Sequence, residues 1–184
     1  TDPMTHIQPV DQASAPAASQ PLLDAVQKKM GMVPNLLGTL AQAPAALRSY
    51  LDLSGAVATG NLSAADRERV ALAVGQANSC DYCLAAHTML GKGAGLSEEE
   101  TLLARQGSGA TPRDAALARF AVQVTESRGN LTPGDLDAFR GAGFGDGDVL
   151  EVIALVALNT LTSYTNHIAR TAIDFPAAPV LQPA

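Results

Sequence analysis

Apolar positions recur at helical spacing along most of the chain, and helix caps punctuate them. Pro21 opens a first short helix that ends near Met30-Gly31, and Pro34 and Pro44 each suit a first-turn position. Ser63 ahead of Ala64-Ala65-Asp66 is close to a capping box and starts a helix through about Ala77. Asn78 and Ser79 are good caps directly before Cys80, and Ser97-Glu98-Glu99-Glu100 is a full capping box. Thr111-Pro112 and Thr132-Pro133 are two more starts. Asp146 or Asp148 opens the last long helix, predicted to run to about Asp174 before Pro176. No stretch alternates convincingly between turn signals as a strand would. The predicted fold class is therefore all-α, a compact body of roughly eight to ten short helices.

That body is expected to span residues 19–176. Residues 1–18, rich in Pro, Ala, Ser and Gln, read as a flexible arm, and 177–184 as an extended tail. Thr1-Asp2-Pro3 reads as a cloning remnant ahead of a native Met4.

The chain also echoes itself. With Glu68 placed over Glu151 and no gaps, Ala71 meets Ala154, Leu72 meets Leu155 and Ala86 meets Ala169. Cys80 then falls over Ser163 and Cys83 over Asn166. A duplicated helical unit and a shared Ala-rich helix composition account for this equally well.

Composition narrows the function. The net charge of −6 with no basic block argues against nucleic acid. Aromatics are 4% with no Trp, so stacking platforms for bases or sugars are scarce, whereas 34 Ala favour close helix packing. The longest uncharged stretch, 152–169, is too polar in its second half for lipid, so a buried helix is expected and not a membrane span. No secretory signal is visible, which points to the cytoplasm. There a CxxC pair reads as catalytic or metal-binding before structural.

That pair is Cys80 and Cys83, in Cys80-Asp81-Tyr82-Cys83-Leu84-Ala85-Ala86-His87. If a helix starts at Cys80, Cys83 lies about 60° round from it and His87 about 40° from Cys83. The three side chains then share a face, with Cys83 and His87 one turn apart. This arrangement suits an activated thiol. The helix N-terminus favours the thiolate, His87 can accept the proton, and Glu68 on the preceding helix is the candidate to orient the imidazole. Leu84 after Cys83 excludes a c-type haem site. A structural zinc needs four ligands where Cys80, Cys83 and His87 supply three, and a catalytic zinc with His167 or Glu68 added is a lesser alternative. Two inert buried thiols would not explain the capped helix start or the His one turn on.

The core Glu68-x11-Cys80-x-x-Cys83-x-x-x-His87 resembles the AhpD-like alkylhydroperoxidases of the carboxymuconolactone decarboxylase superfamily. Met32-Val33-Pro34-Asn35-Leu36, Leu158-Asn159 through Asn166-His167-Ile168-Ala169 and Asp174-Phe175-Pro176 extend the resemblance over residues 20–176. It implies an AhpD-like all-helical fold and a homo-oligomer, a trimer or a hexamer. It implies a peroxidase acting on hydrogen peroxide or small organic hydroperoxides, with Cys83 peroxidatic and Cys80 resolving. His87 and Glu68 would form the proton relay, a thiol or dithiol would restore the pair, and no cofactor or metal is implied. The best-studied AhpD pattern has a His directly before the second Cys. Here Tyr82 stands there, able to hydrogen-bond in the pocket but a poor base near neutrality. This departure motivates an alternative, a thiol–disulfide oxidoreductase or redox sensor with little peroxidase activity. A lactone decarboxylase-like enzyme fits less well, because those relatives generally lack the cysteine pair, and a non-catalytic scaffold is a further alternative.

Other residues read as structural. His167 and Asn166 could line the same pocket, though a satisfied core His is the simpler reading. Tyr164 and Asn159 suit packing or an interface as well as a site. Glu98, Glu99 and Glu100 suit a solvated helix start, and Gly91-Lys92-Gly93-Ala94-Gly95 suits the end of the cysteine helix. Val149, Val152, Ile153 and Val156 form an apolar face for the core or a subunit interface.

Overall fold

The computed structural model describes residues 4–181. Their nine helices are α1 (Gln20–Met30), α2 (Asn35–Leu40), α3 (Pro44–Val57), α4 (Ala64–Ala77), α5 (Asp81–Gly93), α6 (Glu98–Arg105), α7 (Pro112–Ser127), α8 (Pro133–Gly141) and α9 (Asp146–Ala169). No strand occurs among the described residues, so the all-α expectation holds. The tripeptide read as a cloning remnant, and the end of the tail, lie outside these residues.

Most helix starts fall where the caps place them. Ser63, Ser97 and Thr132 each take part in a reciprocal capping box, and Thr111 accepts from the Asp114 N–H. Gly31 adopts the left-handed conformation that closes α1. Pro34 precedes α2 as its N-cap and does not enter its first turn. The last helix stops five residues short of Asp174. Arg170 turns left-handed after Ala169, and Asp174 instead accepts from the Asn35 N–H at the start of α2.

α4 is the axis of the molecule. Val70 through Gly75 are buried on all sides, because α5, α6, α7 and α9 all pack on it. On one side lies a core of Val70, Val74, Leu117 and Val152 with three stacked rings. Phe139 lies between Phe120, at 4.0 Å, and Phe144, at 4.3 Å, centroid to centroid. Val152 and Val156 face inwards, whereas Ile153 on the same helix is exposed, so that apolar stretch serves two faces. On the other side Leu23, Leu37 and Leu47 from the first three helices pack on Cys80, Tyr82 and Cys83. The sulfur pair thus sits in the seam between the α1–α3 layer and the central helices.

Residues 4–18 run along this seam. The His6 and Ile7 N–H groups donate to the Ala169 carbonyl, closing the end of α9, and Val10 N–H donates to the Gly38 carbonyl. Gly38 is required there, since a Cβ would lie 2.9 Å from the Pro9 Cβ and the Val10 carbonyl oxygen. No described helix is long and apolar enough to cross a membrane.

Candidate active site

A tight turn between α4 and α5 places the two sulfurs. Asn78 caps α4, Ser79 is left-handed at φ 53°, and Cys80 N–H returns to the Gly75 carbonyl at 2.9 Å. Ser79 N–H donates to the Gln76 carbonyl at 2.9 Å, which completes a Schellman motif. Asn78 and Ser79 therefore end α4 and do not cap α5. The α5 cap is Cys80 itself, whose Sγ accepts from the Cys83 N–H at 3.2 Å. Helix end and helix start share one residue, and that residue carries a sulfur.

Cys80 and Cys83 are joined as a disulfide and are 1% and 3% exposed. α9 lines the sulfurs with donors. Asn166 Nδ2 lies 3.6 Å from Cys83 Sγ and 3.8 Å from Cys80 Sγ. Ser163 Oγ lies 3.5 Å and Thr162 Oγ1 3.9 Å from Cys83 Sγ, while both hydroxyls also bond the Asn159 carbonyl. Hydroxyl rotors can turn to a sulfur that gains negative charge, where charge-assisted bonds are stronger.

His87 Nδ1 and Glu68 Oε2 are 2.8 Å apart, both partly buried. The carboxylate fixes the ring and leaves Nε2 as its second functional atom. His87 and Cys83 line one mainly apolar cavity of about 60 Å³ with Leu36, Leu37, Tyr50 and Tyr82. A second cavity of about 220 Å³ is bounded by Glu68, Arg67, Asn159 and Thr162, and by the same Tyr50 and His87. Burial, with the charge of Glu68 added, raises the Tyr50 phenol above its ordinary pKa.

Tyr82 contributes its ring to the Cys83 cavity, but its hydroxyl is committed elsewhere. It donates to Asp174 Oδ1 at 2.8 Å and accepts from the Leu36 N–H at 3.2 Å. Burial foremost, then Asp174, raises its pKa, so the phenol stays protonated. Phe175 packs edge-on against the Tyr82 ring at 5.6 Å. The segment after α9 is thereby strapped across the residue between the cysteines.

Of the residues singled out in the sequence, Cys80, Cys83, His87, Glu68 and Tyr82 all meet at this seam, and Asn166 joins them. His167 does not line the Cys83 cavity; it lies on the Cys80 side, where Nε2 donates to the Ser79 carbonyl at 3.3 Å. Thr162 and Ser163 were not among the candidates. Ser163 falls over Cys80 in the echo, but in the fold it lies against Cys83. The echo also joins unlike local structures: 68–86 crosses the α4–α5 turn, whereas 151–169 is unbroken helix. Glu151, the counterpart of Glu68, accepts from the Asn61 and Leu62 N–H groups instead of a ring. No group of three or more His, Cys, Asp or Glu among the described residues is placed to hold a metal ion.

Comparisons with known proteins found a family match and similar folds. The model of the carboxymuconolactone decarboxylase family matches residues 44–127, from α3 through α7. The "alkylhydroperoxidase AhpD core", an uncharacterised peroxidase-related protein from Ralstonia eutropha JMP134, superposes with a TM-score of 0.81 at 26% identity. The match covers 95% of this chain and 94% of that one. This chain has the AhpD-like fold of the carboxymuconolactone decarboxylase superfamily. A peroxidase-related protein from Silicibacter sp. TM1040 shares the fold at TM-score 0.77 and 22% identity, over 96% and 95% of the two chains. So does the debrominase Bmp8, solved with 2,3,4-tribromopyrrole, at TM-score 0.79 and 16% identity, over 95% and 94%. These last two likenesses concern the AhpD-like fold alone. No protein of curated function matches the sequence.

Proposed function

We propose that this chain is an AhpD-like cysteine peroxidase that reduces hydrogen peroxide or small organic hydroperoxides. The observation that carries this reading is the buried Cys80–Cys83 pair beside a Glu68-held imidazole in a small apolar cavity. In the reduced protein, Cys83 is the nucleophile. The start of α5 and the Ser163, Thr162 and Asn166 donors favour its thiolate. The thiolate attacks the terminal peroxide oxygen, the O–O bond breaks, and the leaving alkoxide takes a proton from His87 Nε2. Cys83 becomes a sulfenic acid. The Cys80 thiolate then attacks Cys83 Sγ, the S–O bond breaks, and hydroxide leaves as water after taking a proton. Each cycle turns one hydroperoxide and two thiols into an alcohol, water and the disulfide. Glu68 keeps the ring oriented and balances its charge when it is protonated.

Because every cycle ends in a disulfide, a reducing compartment such as the cytoplasm suits the enzyme. The exposed apolar stripe of Leu150, Ile153, Tyr164 and Ile168 on α9 supports self-association as a trimer or hexamer. A second reading, thiol–disulfide exchange with little peroxidase activity, draws on Tyr82, whose protonated and strapped hydroxyl supplies no base between the cysteines.

Stopped-flow consumption of cumene hydroperoxide, with dithiothreitol as reductant, separates the two. The peroxidase reading expects the wild type to exceed free dithiothreitol by at least about a hundredfold and Cys83→Ser to fall to that background. A wild-type rate equal to that of Cys83→Ser overturns it.

A further inference from the structure

The disulfide has a second side. The Cys83 cavity does not reach Cys80, but an open groove of about 360 Å³ does. Its lining includes Cys80, Asp81, Asn166, His167, Arg170 and Thr171. We propose that this groove receives the thiol that reduces the disulfide, a small thiol carrying a peptide-type amide and a carboxylate.

Three observations define that ligand. First, two polar atoms of lining residues, Asn166 Oδ1 and Thr171 Oγ1, have no hydrogen-bond partner among the described residues, although Asn166 is 5% and Thr171 8% exposed. Buried polar atoms are normally paired, so these two call for a ligand or solvent that supplies an N–H and a second polar group. An amide does both. Second, the rim carries the Arg170 guanidinium where α9 ends, which suits a carboxylate. The one acidic residue of the lining, Asp81, also acts on the Arg105 guanidinium, and so is not left to repel an anion alone. Third, the volume is that of a small-molecule site, and Cys80 is too deeply set for a folded protein surface to touch.

Binding in this groove then decides which sulfur is attacked, because its lining holds Cys80 and not Cys83. A thiolate in this groove meets Cys80 Sγ. A bond forms between the two sulfurs as the Cys80–Cys83 bond breaks, and Cys83 leaves with the electron pair among the Ser163, Thr162 and Asn166 donors. A second thiolate attacks the ligand sulfur of the mixed disulfide. The oxidised thiol pair leaves, and Cys80 is released as a thiolate that takes a proton from solvent. Two thiols are oxidised and one disulfide is reduced. Peroxide and reductant would thus use opposite faces of one sulfur pair.

This inference rests on the proposed redox cycling of Cys80 and Cys83, but its test needs no peroxide. Reduction of the full-length disulfide by N-acetylcysteine, N-acetylcysteinamide and 2-mercaptoethanol is followed by acid quench, alkylation and mass spectrometry. Rates are expressed per thiolate. N-acetylcysteine should exceed 2-mercaptoethanol by about tenfold or more, with the uncharged amide between them. In Arg170→Asn, which keeps a residue tolerant of the left-handed turn, and in Thr171→Val, that advantage should fall below about threefold. The trapped mixed disulfide should lie on Cys80. An adduct on Cys83, or an advantage that neither substitution reduces, overturns the proposal. If Thr171→Val does not fold, Arg170→Asn and the adduct position still decide. A protein reduced as expected that ignores peroxide would instead overturn the peroxidase reading alone.

Discussion

Two polar clusters grow from neighbouring residues of α4, and they are built on opposite principles. In the first, Arg69 bonds Asp66, Glu100 and Asp114 at 3.0–3.4 Å, and Arg113 closes on Asp66 at 3.1 Å from the other side. In the second, Glu68 has a single close partner, the His87 imidazole. The first pairs permanent charges with permanent charges, and no proton has reason to move. The second pairs a carboxylate with an imidazole, a ring that can take up or give up a proton. Charge saturation marks the cluster that holds helices together, and a partner of variable charge marks the one suited to chemistry.

The comparison can be broken at either end. Arg69→Met should cost about 3 kcal/mol, because it removes the cation that Asp66, Glu100 and Asp114 share and leaves Asp66 with Arg113 alone. Chemical denaturation reads this directly, and a loss below about 1 kcal/mol would mean the network does not hold α4, α6 and α7 together. Glu68→Gln should do the reverse, lowering peroxide turnover about tenfold to a hundredfold while moving stability by less than about 1 kcal/mol. Equal turnover in Glu68→Gln and wild type would remove the carboxylate from the relay.

Acid should also tell the clusters apart. Burial opposes ionisation of Asp66, but bonds from Arg113 and Ser63 outweigh it and leave its pKa below the ordinary carboxylate value. The folded state thus favours the charged form. That stabilisation is complete above the unfolded pKa near 3.8 and is lost as pH falls through the lower folded value. Asp66→Asn should therefore flatten the acid limb of the stability curve, and an unchanged limb would contradict the shift. The smallest effect is expected at Ser79→Gly, which relieves the left-handed strain and should add about 0.5–1 kcal/mol without altering thiol reactivity. Thermal unfolding of the reduced protein checks it.

Much of this was legible before the fold was known. Ser63, Ser97, Thr111 and Thr132 announce four helices because capping chemistry is local. The redox motif is legible for the same reason, since two cysteines and a histidine on one helix need no tertiary knowledge. What escaped depends on distant partners. Nothing between Ala169 and Asp174 signals a stop, since no Gly or Pro intervenes and the turn is taken by Arg170. Asp174 leaves the helix because α2 and Tyr82 offer it N–H and O–H donors more than 90 residues away in sequence. Thr162 and Ser163 read as polar residues of an interior helix until α5 is seen against them. Arg69 has one local partner, Asp66 one turn earlier on α4, but Glu100 and Asp114 come from the first turns of α6 and α7, and nothing near Arg69 in sequence announces them.

The account depends on Cys83 being negatively charged at neutral pH. Ultraviolet titration of the thiolate in Cys80→Ser tests this most directly, helped by the absence of Trp and by the raised pKa of Tyr50 and Tyr82. A midpoint below about pH 7, matched by the pH dependence of the reaction with peroxide, is the expected result. A midpoint at or above the free-thiol value of about 8.5 would contradict it.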